Sequence, residues 1–368
     1  MTVPSETIWK LDPHTIAKHE VLKLYLQRWF PILNTYHGRI VYVDGFCGPG
    51  RYSDGEPGSP LVVLDLATNH IKSLSGDIVF WFIDERADRI EHLKSELVVR
   101  SLPANFKVKP ETGRFDEKLK EMLDRNEGLS VHPAPTFIFV DPFGFSGVPY
   151  SLIKRALAKP RWEVLITFMV DSINRWLDHP NDQISAHIPE TFGTTECSQI
   201  DRYASNRIDL LRDLYQKQLK KVARFVRYFE MRDRTNRVEY LLFFATNHRL
   251  GHKKMKEAMW AVDPQGEFRF SDATNVAQQV MFEGDQAELL WPLIKRAFSG
   301  KEVTTNKILE FVEDETAFLD KHMKATLRQH ELSSLPASER ITVASRKTDG
   351  KTRKKGSFPE GVTVKFPS

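Results

Sequence analysis

An acid followed at once by clustered glycines is the first stretch of this chain with the residue types for ligand chemistry. The run Val41–Val43 leads into Asp44, and Gly45, Gly48 and Gly50 follow. Such a run, bounded by turn residues, is typical of a buried parallel strand, and open α/β sheets bind ligands outside the carboxyl ends of their strands. Glycine lets the backbone turn sharply and approach a ligand closely. The stretch therefore predicts a nucleoside-type cofactor site, and an ordinary strand-to-turn connection is the alternative.

A second acid closes the next apolar run. Residues Ile78–Ile83 predict another buried strand, and Asp84 follows it directly, ahead of a helix predicted over 86–99. An acid at this point suits bidentate hydrogen bonding to a ribose, and a helix cap is its alternative role. The glycine spacing matches neither G-x-G-x-x-G nor a P-loop, which argues against a phosphate cradle.

The turn Asp141-Pro142-Phe143-Gly144 follows a buried strand predicted over 136–140 and carries the most specific chemical suggestion. The amine of a nucleobase is a poor nucleophile because the ring delocalises its lone pair. The Asp141 carboxylate and the Pro142 carbonyl could localise that pair by accepting hydrogen bonds, and Phe143 could stack on the base for about 1–3 kcal/mol. A duplex base would have to be flipped out. These four residues therefore predict methyl transfer from the sulfonium of S-adenosylmethionine, and a plain proline turn is the alternative.

These acids need a sheet that brings its strand ends together, and the remaining patterns predict one. A helix is predicted over 14–30, closed by Pro31 and Gly38, and Ser59 is a candidate cap for a helix over 60–69. Further strands are predicted over 106–109 and 164–170, a helical insertion over 171–203, and an antiparallel edge from 223–229 and 238–245. The predicted fold class is α/β, a Rossmann-like sheet of the class I methyltransferase type with a helical insertion.

The carboxyl-terminal part has its own pattern after a polar stretch over 271–286, which we interpret as a linker. Helices are predicted over 287–298, 304–311 and 315–329, and strands over 341–343 and 362–366. Helices followed by a β-hairpin are in the order of a winged helix-turn-helix. The predicted domains are therefore 1–284 and 285–368.

A basic run lies between the last two predicted strands, where Asp349 is the only acid between residues 340 and 356. On a wing, such residues would lie along the phosphates of DNA or RNA and bind with salt-dependent affinity; a solubilising loop is the alternative. The predicted nucleic-acid contacts are Arg346, Lys347, Lys351, Arg353, Lys354 and Lys355.

Composition limits the class of protein. The chain has 368 residues, of which 41% are hydrophobic, and a formal net charge of +4, which allows a sizeable core but is a weak overall signal for a charged partner. No apolar run approaches the roughly 20 residues of a bilayer span, and no signal peptide is visible. The two cysteines, Cys47 and Cys197, exclude a disulfide framework, and the absence of a metal-ligand spacing predicts no metal site. We expect a cytoplasmic protein without membrane contact.

Four stretches resemble one known family. They are HTIAKHEVLKLYL, YVDGFCGPGRYSDGEPGSPL, FIFVDPFGFSG and LLFFATNHRLGHKKMKEAMW, all within residues 14–261. The chain resembles the three-Cys-motif partner protein family (TcmP), and its tail resembles the winged-helix end of such proteins. The resemblance implies a methyltransferase-like fold, S-adenosylmethionine as cofactor, and a radical-SAM-type partner protein that carries the three cysteines.

Two other enzyme groups are similar over shorter motifs. A bacterial ribosomal-RNA adenine-N6 methyltransferase has a comparable Lys-His pair and Asp-x-x-x-Gly-x-Gly loop, which implies that Lys18 and His19 lie near the cofactor. The tRNA guanine-N2 dimethyltransferases share the Asp-Pro-Phe-Gly turn. This chain lacks the second proline of the adenine enzymes, has Cys47 where many relatives have alanine, and has Arg114 where an acid often contacts adenine.

Motifs and resemblance together predict an enzyme, an S-adenosylmethionine-dependent methyltransferase that acts on an exocyclic amine of a nucleic-acid base. The predicted cofactor-binding residues are Lys18, His19, Asp44, Gly45, Phe46, Gly48, Gly50, Asp84 and Arg114. A non-catalytic adaptor that recognises nucleic acid for the radical-SAM-type partner is the alternative hypothesis. A protein or small-molecule substrate is the third.

Overall fold

A computed structural model describes residues 5–127, 133–179, 187–263, 269–271, 286–332, 334–346 and 349–368. The chain divides into two compact units, Met1–Val262 with Arg269–Asn275 and Asp263–Phe268 with Val276–Ser368. Residues 180–186 of the predicted insertion, most of the predicted linker and Lys347 lie outside the described residues. None of the helices in the described ranges is long and apolar enough to cross a membrane.

An eight-stranded sheet forms the centre of the first unit. Its strands are β1 (Arg39–Asp44), β2 (Asp77–Asp84), β3 (Phe106–Thr112), β4 (Thr136–Val140), β5 (Trp162–Phe168), β6 (Phe225–Arg232), β7 (Val238–Thr246) and β8 (Arg269–Ser271). The spatial order is β3-β2-β1-β4-β5-β7-β6-β8. Strands β1 to β5 are parallel, and β7 is antiparallel to both β5 and β6. The prediction of a mainly parallel sheet with an antiparallel edge is confirmed.

Helices cover the sheet and connect its parallel strands, which is the doubly wound arrangement. They are α1 (Pro13–His37), α2 (Ser59–Thr68), α3 (Ala87–Val98), α4 (Phe115–Glu127), α5 (Tyr150–Leu157), α6 (Val170–Trp176), α7 (His187–Phe192), α8 (Arg207–Lys220) and α9 (Arg249–Val262). Every residue of β4 and β5 is buried, which explains why their sequences are continuous apolar runs rather than alternating ones. The strand order reverses between β1 and β4, and ligands bind at such a switch point.

The first helix does not end at Pro31, contrary to one part of the prediction, and α1 continues to His37. Gly38, the other predicted terminator, is its carboxyl-terminal cap. A proline inside a helix leaves the carbonyl four residues earlier without its N–H donor. That carbonyl, of Gln27, accepts a hydrogen bond from Nε2 of His70 at 2.8 Å. Because the lost hydrogen bond is replaced, the helix passes through the proline.

The second unit combines helices with a small antiparallel sheet. Its elements are α10 (Gln286–Phe298), β9 (Glu302–Thr304), α11 (Thr305–Glu315), α12 (Asp320–His330), β10 (Thr342–Val343) and β11 (Thr363–Lys365), and the strand order is β10-β11-β9. The prediction that the third helix begins at residue 315 is wrong. The hydroxyl of Thr316 donates to the carbonyl of Val312 and accepts from the N–H of Phe318, so the chain turns before α12 begins. The sequence does not predict β9, because three residues are too few for a periodic signal.

Candidate functional site

The glycine-rich loop after β1 lies at the point where the strand order reverses. Asp44, the last residue of β1, is level with Phe139 of β4. Past the strand, the N–H of Gly45 donates to Phe139 O and that of Cys47 donates to Ile83 O, each at 2.9 Å. The loop is therefore held from both neighbouring strands as it crosses the carboxyl edge of the sheet.

Two of the loop glycines are favoured for different reasons, a close neighbour at Gly45 and a left-handed backbone conformation at Gly48. A side chain at Gly45 would place its Cβ 2.4 Å from the ring of Phe115, which is too close for any residue but glycine. Gly48 has a φ of 62°, in the left-handed region that favours glycine, and a Cβ there would lie 3.1 Å from the indole of Trp9. These glycines permit tight packing of the loop.

Asp44 is fully buried at the base of the loop. Its Oδ2 accepts a hydrogen bond from the hydroxyl of Ser59 at 2.6 Å, and its Oδ1 accepts one from the N–H of Phe46 at 3.4 Å. Burial raises the pKa of Asp44 to about 7; the Ser59 hydrogen bond opposes this shift, and the nearby Asp141 carboxylate adds to it. The predicted cap of α2 at Ser59 is wrong, because the cap position is Gly58 and the Ser59 hydroxyl binds Asp44 instead.

Asp84 connects β2 to the same loop. Its Oδ2 accepts a hydrogen bond from the N–H of Gly48 at 3.1 Å, and its Oδ1 accepts one from the N–H of Arg86, the residue before α3, at 2.9 Å. The Arg89 guanidinium lies 3.7 Å away. Burial raises the pKa of Asp84. The carboxylate therefore fixes the loop and the start of α3, and it also lines the larger of two cavities at this edge.

Asp141 forms a two-oxygen ion pair with Lys18 of α1. The Lys18 ammonium lies 2.7 Å from Oδ1 and 2.6 Å from Oδ2, and the Lys18 side chain is 6% exposed. The neighbouring His19 is buried, and burial together with the Lys18 charge lowers the pKa of its imidazole to about 4. His19 is therefore neutral at physiological pH. The ion pair joins the first helix to the catalytic turn that the sequence predicts.

An aromatic cluster flanks this turn on its outer side. The ring of Phe143 meets the indole of Trp9 edge to face, with 5.2 Å between centroids, and Tyr52 meets the same indole at 5.8 Å. The Arg89 guanidinium lies 4.7 Å from the Trp9 ring and 5.6 Å from that of Phe143, within cation–π range. Trp9, on the segment before α1, is thus part of the wall of the site.

Two cavities open at the carboxyl edge and share Phe46, Pro142 and Phe143. The smaller, of about 680 Å³ including its mouth, contains the predicted residues Lys18, His19, Phe46, Gly48, Gly50, Asp141, Pro142 and Phe143. The larger, of about 1220 Å³ including its mouth, contains Gly45, Phe46, Asp84, Arg114, Pro142, Phe143 and Gly144. The structure therefore brings the predicted cofactor and catalytic residues to one place, with Asp44 buried beneath them.

Arg114 lies at the rim of the larger cavity with its charge already paired. Its guanidinium donates to the Asp116 carboxylate at 2.7 and 3.1 Å, and the side chain is 57% exposed. Asp116, two residues further along the chain, also lines this cavity. An acid is therefore present near the predicted adenine contact.

Trp9, Arg89 and Thr167 are among the wall residues that have no place in the predicted site. Thr167 lies in β5 and lines the smaller cavity, where its Oγ1 is buried without a hydrogen-bond partner among the described residues. A buried hydroxyl without a partner is costly unless a ligand or water meets it. Thr167 could have been found from the sequence, because it is a polar residue in an otherwise apolar strand. Trp9 and Arg89 lie in no pattern that marks them as site residues.

The predicted nucleic-acid residues lie in the second unit and fall into two groups. Arg346, Lys351, Lys354 and Lys355 are exposed. Arg353 is not, because its guanidinium is buried against the Glu331 carboxylate and also donates to the carbonyls of Ala344 and Ser357. The prediction of a phosphate contact at Arg353 is therefore corrected to a structural role.

Comparison with known proteins gives a fold likeness and no family. No family model matches the chain and no curated protein matches it, so the resemblance to the TcmP family stays a prediction. A Legionella pneumophila protein of the family DUF519 is 13% identical with a TM-score of 0.42, covering 70% of this chain and 94% of that one.

Two methyltransferase structures also match. An O-methyltransferase from Bacillus cereus in complex with SAH is 14% identical with a TM-score of 0.35, covering 66% of this chain and 84% of its own. Human methyltransferase-like protein 13 in complex with SAH is 11% identical with a TM-score of 0.36, and the match covers 73% of this chain and 97% of that one. Values this low leave the functional assignment to the geometry of the site.

Proposed function

We propose that this protein is an S-adenosylmethionine-dependent methyltransferase whose substrate is an exocyclic amine of a nucleic-acid base. The observation that carries the proposal is the Asp141–Lys18 pair, which stands at the end of β4 beside the glycine loop at the switch point of the sheet. A strand-end carboxylate held by a buried ammonium, next to a tight glycine turn, suits a cationic nucleoside cofactor and an amine acceptor.

The carboxylates of the site fit a positively charged cofactor. Asp44 carries a raised pKa partly because Asp141 and Asp84 lie near it. A bound cation would offset this mutual repulsion. When bound, S-adenosylmethionine supplies a sulfonium-activated methyl group and departs as the neutral thioether. The residues that would hold it are those of the Gly45–Gly50 loop with Asp84, and the partnerless Thr167 hydroxyl offers a further contact.

The chain's own residues orient the acceptor amine. The Asp141 carboxylate has lone pairs left after binding Lys18 and accepts a hydrogen bond from an amine proton, which localises the nitrogen lone pair. The Pro142 carbonyl accepts from the second proton, and the half-buried Phe143 ring stacks on the base. Together these contacts would present the amine nitrogen to the methyl group that the cofactor supplies, and the proton that the nitrogen loses would pass to solvent.

We infer that the second unit is a winged helix-turn-helix that brings nucleic acid to this site. Support comes from the order of its elements: a helix, a strand, two helices, and two strands that pair with the first into an antiparallel sheet. Exposed lysines lie in the segment between β10 and β11. A class of substrate with a polyanionic backbone fits these charges.

Calorimetric titration of the full chain with S-adenosylmethionine and S-adenosylhomocysteine tests the cofactor assignment, and neither heat nor a thermal shift with either compound would overturn it. Mass spectrometry of nucleosides from cells with and without the protein then tests the substrate. We expect one methylated base to be missing from cells that lack the protein and from cells that carry only the Asp141→Asn variant. Unchanged nucleosides beside a methylated protein or small molecule would overturn the nucleic-acid substrate.

The adaptor hypothesis is favoured by one observation, the separation of the basic surface into its own compact unit. In that case the chain would recognise nucleic acid for a radical-SAM-type partner. Asp141→Asn distinguishes the two: an adaptor keeps its cellular function in this variant, and a methyltransferase loses it. The ion pair of Asp141 with Lys18 favours the methyltransferase, because recognition by the second unit has no need of it.

A further inference from the structure

A third cavity of the first unit lies at the amino edge of the sheet, away from the proposed methyl-transfer site. It is formed by α1, the start of β5 and the start of α9, and its volume is about 720 Å³ including its mouth. This volume is in the range of small-molecule sites. The lining residues are Tyr25, Trp29, Ile32, Leu33, Arg161, Glu163, His248, Leu250, Gly251 and Lys254.

The interior of this cavity is apolar. Its wall is almost wholly apolar, and Tyr25, Trp29, Ile32 and Leu33 lie at the spacing of one face of α1. Leu250, which also lines the cavity, is 46% exposed. Water finds few hydrogen-bond partners against such a wall, whereas an apolar molecule gains free energy by leaving water for it. The shape and the wall therefore suit a ligand with an apolar body.

Glu163 lines the cavity, but both of its oxygens are bonded to the protein. Its Oε2 accepts a hydrogen bond from the hydroxyl of Tyr25, and its Oε1 accepts one from that of Thr246. The backbone of Gly251 lies close to Oε1, because a Cβ on this glycine would come within 2.1 Å of that oxygen. This buried carboxyl is therefore not the group that the polar end of a ligand would meet.

The other charged residues beside the cavity are mostly cationic. Arg161, directly before β5, is half-buried, and its Nε has no hydrogen-bond partner among the described residues. Lys254 lies 2.9 Å from the Glu257 carboxylate, which Arg28 approaches at 3.6 Å. The exposed imidazole of His248 lines the same cavity. The two arginines and the lysine carry three positive charges against the one negative charge of Glu257.

We propose that this cavity binds a small carboxylate with an apolar body, of the size of a medium-chain fatty acid. The apolar body lies against Trp29, Ile32 and Leu33. The carboxylate accepts hydrogen bonds from the Arg161 guanidinium, with the Lys254 ammonium as the second cation. This inference goes beyond the proposed function and does not rest on it, because the cavity shares no lining residue with the two at the carboxyl edge.

The same charges disfavour two other kinds of apolar ligand. A hydrocarbon without a polar head would leave the Nε of Arg161 without a partner, and a buried donor without a partner is costly. An apolar amine would bring a positive charge beside Arg161 and Lys254, which disfavours its charged form. A head group that is both anionic and a hydrogen-bond acceptor meets neither difficulty.

Calorimetric titration of the full chain with octanoate, octanol and octylamine tests the proposal, because these probes share one chain length and differ in the head group. We expect octanoate to bind most tightly and octylamine least, and acetate, which has the head without the body, not to bind. Octanol binding as tightly as octanoate, or octylamine binding more tightly, would overturn the carboxylate assignment. The absence of binding by all of these probes would overturn the site.

Leu33→Trp locates the binding, because the larger side chain fills the cavity. It should abolish octanoate binding, with circular dichroism as the check on folding. The matched control Leu210→Trp makes the same change at a leucine of α8 that is 38% exposed and does not line the cavity, and it should bind octanoate normally. Octanoate binding retained by folded Leu33→Trp, or displaced by S-adenosylhomocysteine, would show that the ligand lies elsewhere.

Arg161→Asn tests the head-group contact without filling the cavity. Arg161 has a φ of 61°, and asparagine tolerates this left-handed conformation better than most residues. Octanoate affinity should fall about tenfold, and octanol affinity should not change. The control Arg237→Asn removes an exposed arginine directly before β7, whose other end meets Glu163, and should change neither affinity. Equal octanoate affinities in the two variants would refute the role of Arg161.

Discussion

Two buried carboxyl groups near opposite edges of the same sheet show what distinguishes a site from a core. Asp44 ends β1 at the carboxyl edge, and Glu163 lies at the start of β5 near the amino edge. Burial raises the pKa of both groups. A raised pKa therefore does not tell the two regions apart.

Their partners do. Glu163 accepts hydrogen bonds from the hydroxyls of Tyr25 at 2.6 Å and Thr246 at 2.8 Å, and a Cβ on Gly251 would come within 2.1 Å of its oxygen. Neutral donors from α1 and β7 thus satisfy Glu163 as part of the packing. Asp44 also accepts from a hydroxyl, that of Ser59, but the nearby carboxylates of Asp141 and Asp84 add to the rise in its pKa. Burial is what raises the pKa of Glu163, and its hydrogen bonds lower it. Like charges gathered at one edge are stabilised by a cationic ligand, whereas a carboxyl raised by burial has no need of one.

The largest expected effect comes from Asp141→Asn, which keeps the shape of the side chain and removes its charge. Methyl transfer from labelled cofactor should fall roughly 10²- to 10³-fold, because the amide is neutral and its single oxygen is a weaker acceptor for the reacting amine than the carboxylate. The matched control Glu163→Gln makes the same chemical change at the other edge and should retain activity. Comparable losses of activity in both variants would show that the carboxyl edge of the sheet has no special role in the reaction.

The second largest effect should be the loss of stability in Lys18→Met, because this change leaves Asp141 in the cleft without its ammonium partner. Breaking a buried pair from one side costs about 3–5 kcal/mol, and the partial exposure of Asp141 brings our expectation to about 2 kcal/mol. Urea unfolding measures this. In a double-mutant cycle with Asp141→Asn, the two losses should not add; strict additivity would show that the pair is not energetically coupled.

Cofactor binding should depend on pH through the carboxyl of Asp44. A cationic cofactor favours the ionised form of Asp44, whose pKa is about 7 without ligand, so binding should release a proton and weaken as the pH falls. Affinity should decline by up to tenfold per pH unit below about pH 7. Calorimetry from about pH 8 to 5.5 measures this, and Asp44→Asn should give a flat profile. His19 does not contribute, because its pKa of about 4 lies outside this range.

The smallest effect is expected from Glu163→Gln on stability. The two hydroxyl donors keep one acceptor oxygen and lose the other, so the free energy of unfolding should fall by about 1 kcal/mol, with the cofactor affinity unchanged. Denaturant titration at neutral pH measures the first and calorimetry the second. A weakened cofactor affinity would mean that the amino edge is linked to the site.

The parts of this architecture that follow from local pattern are predictable. Continuous apolar runs locate β4 and β5 within a few residues, because both faces of those strands are buried. Parallel strands that end in acids place those acids at one edge, so the residue order alone predicts that Asp44, Asp84 and Asp141 lie together. Pro31 misleads because its replacement hydrogen bond comes from His70, far along the chain.

What could not be predicted depends on contacts between distant residues. The sequence predicts Ser59 as a helix cap, whereas in the fold its hydroxyl lies beside Asp44. Arg353 reads as one more cation in a basic run until Glu331 is brought against it. Trp9 precedes the first helix in a stretch without periodicity, and only the folded chain lays its ring on Phe143 and Arg89.

The position of Trp9 makes its intrinsic fluorescence a probe of ligand binding. An indole packed against a guanidinium and two aromatic rings at a cleft wall changes its emission when a ligand alters those neighbours. The chain has seven tryptophans, and Trp9→Phe would isolate the contribution of this one while keeping an aromatic ring at the wall. Ligand entry could then be followed in real time by stopped-flow fluorescence, without any label on the protein or the cofactor.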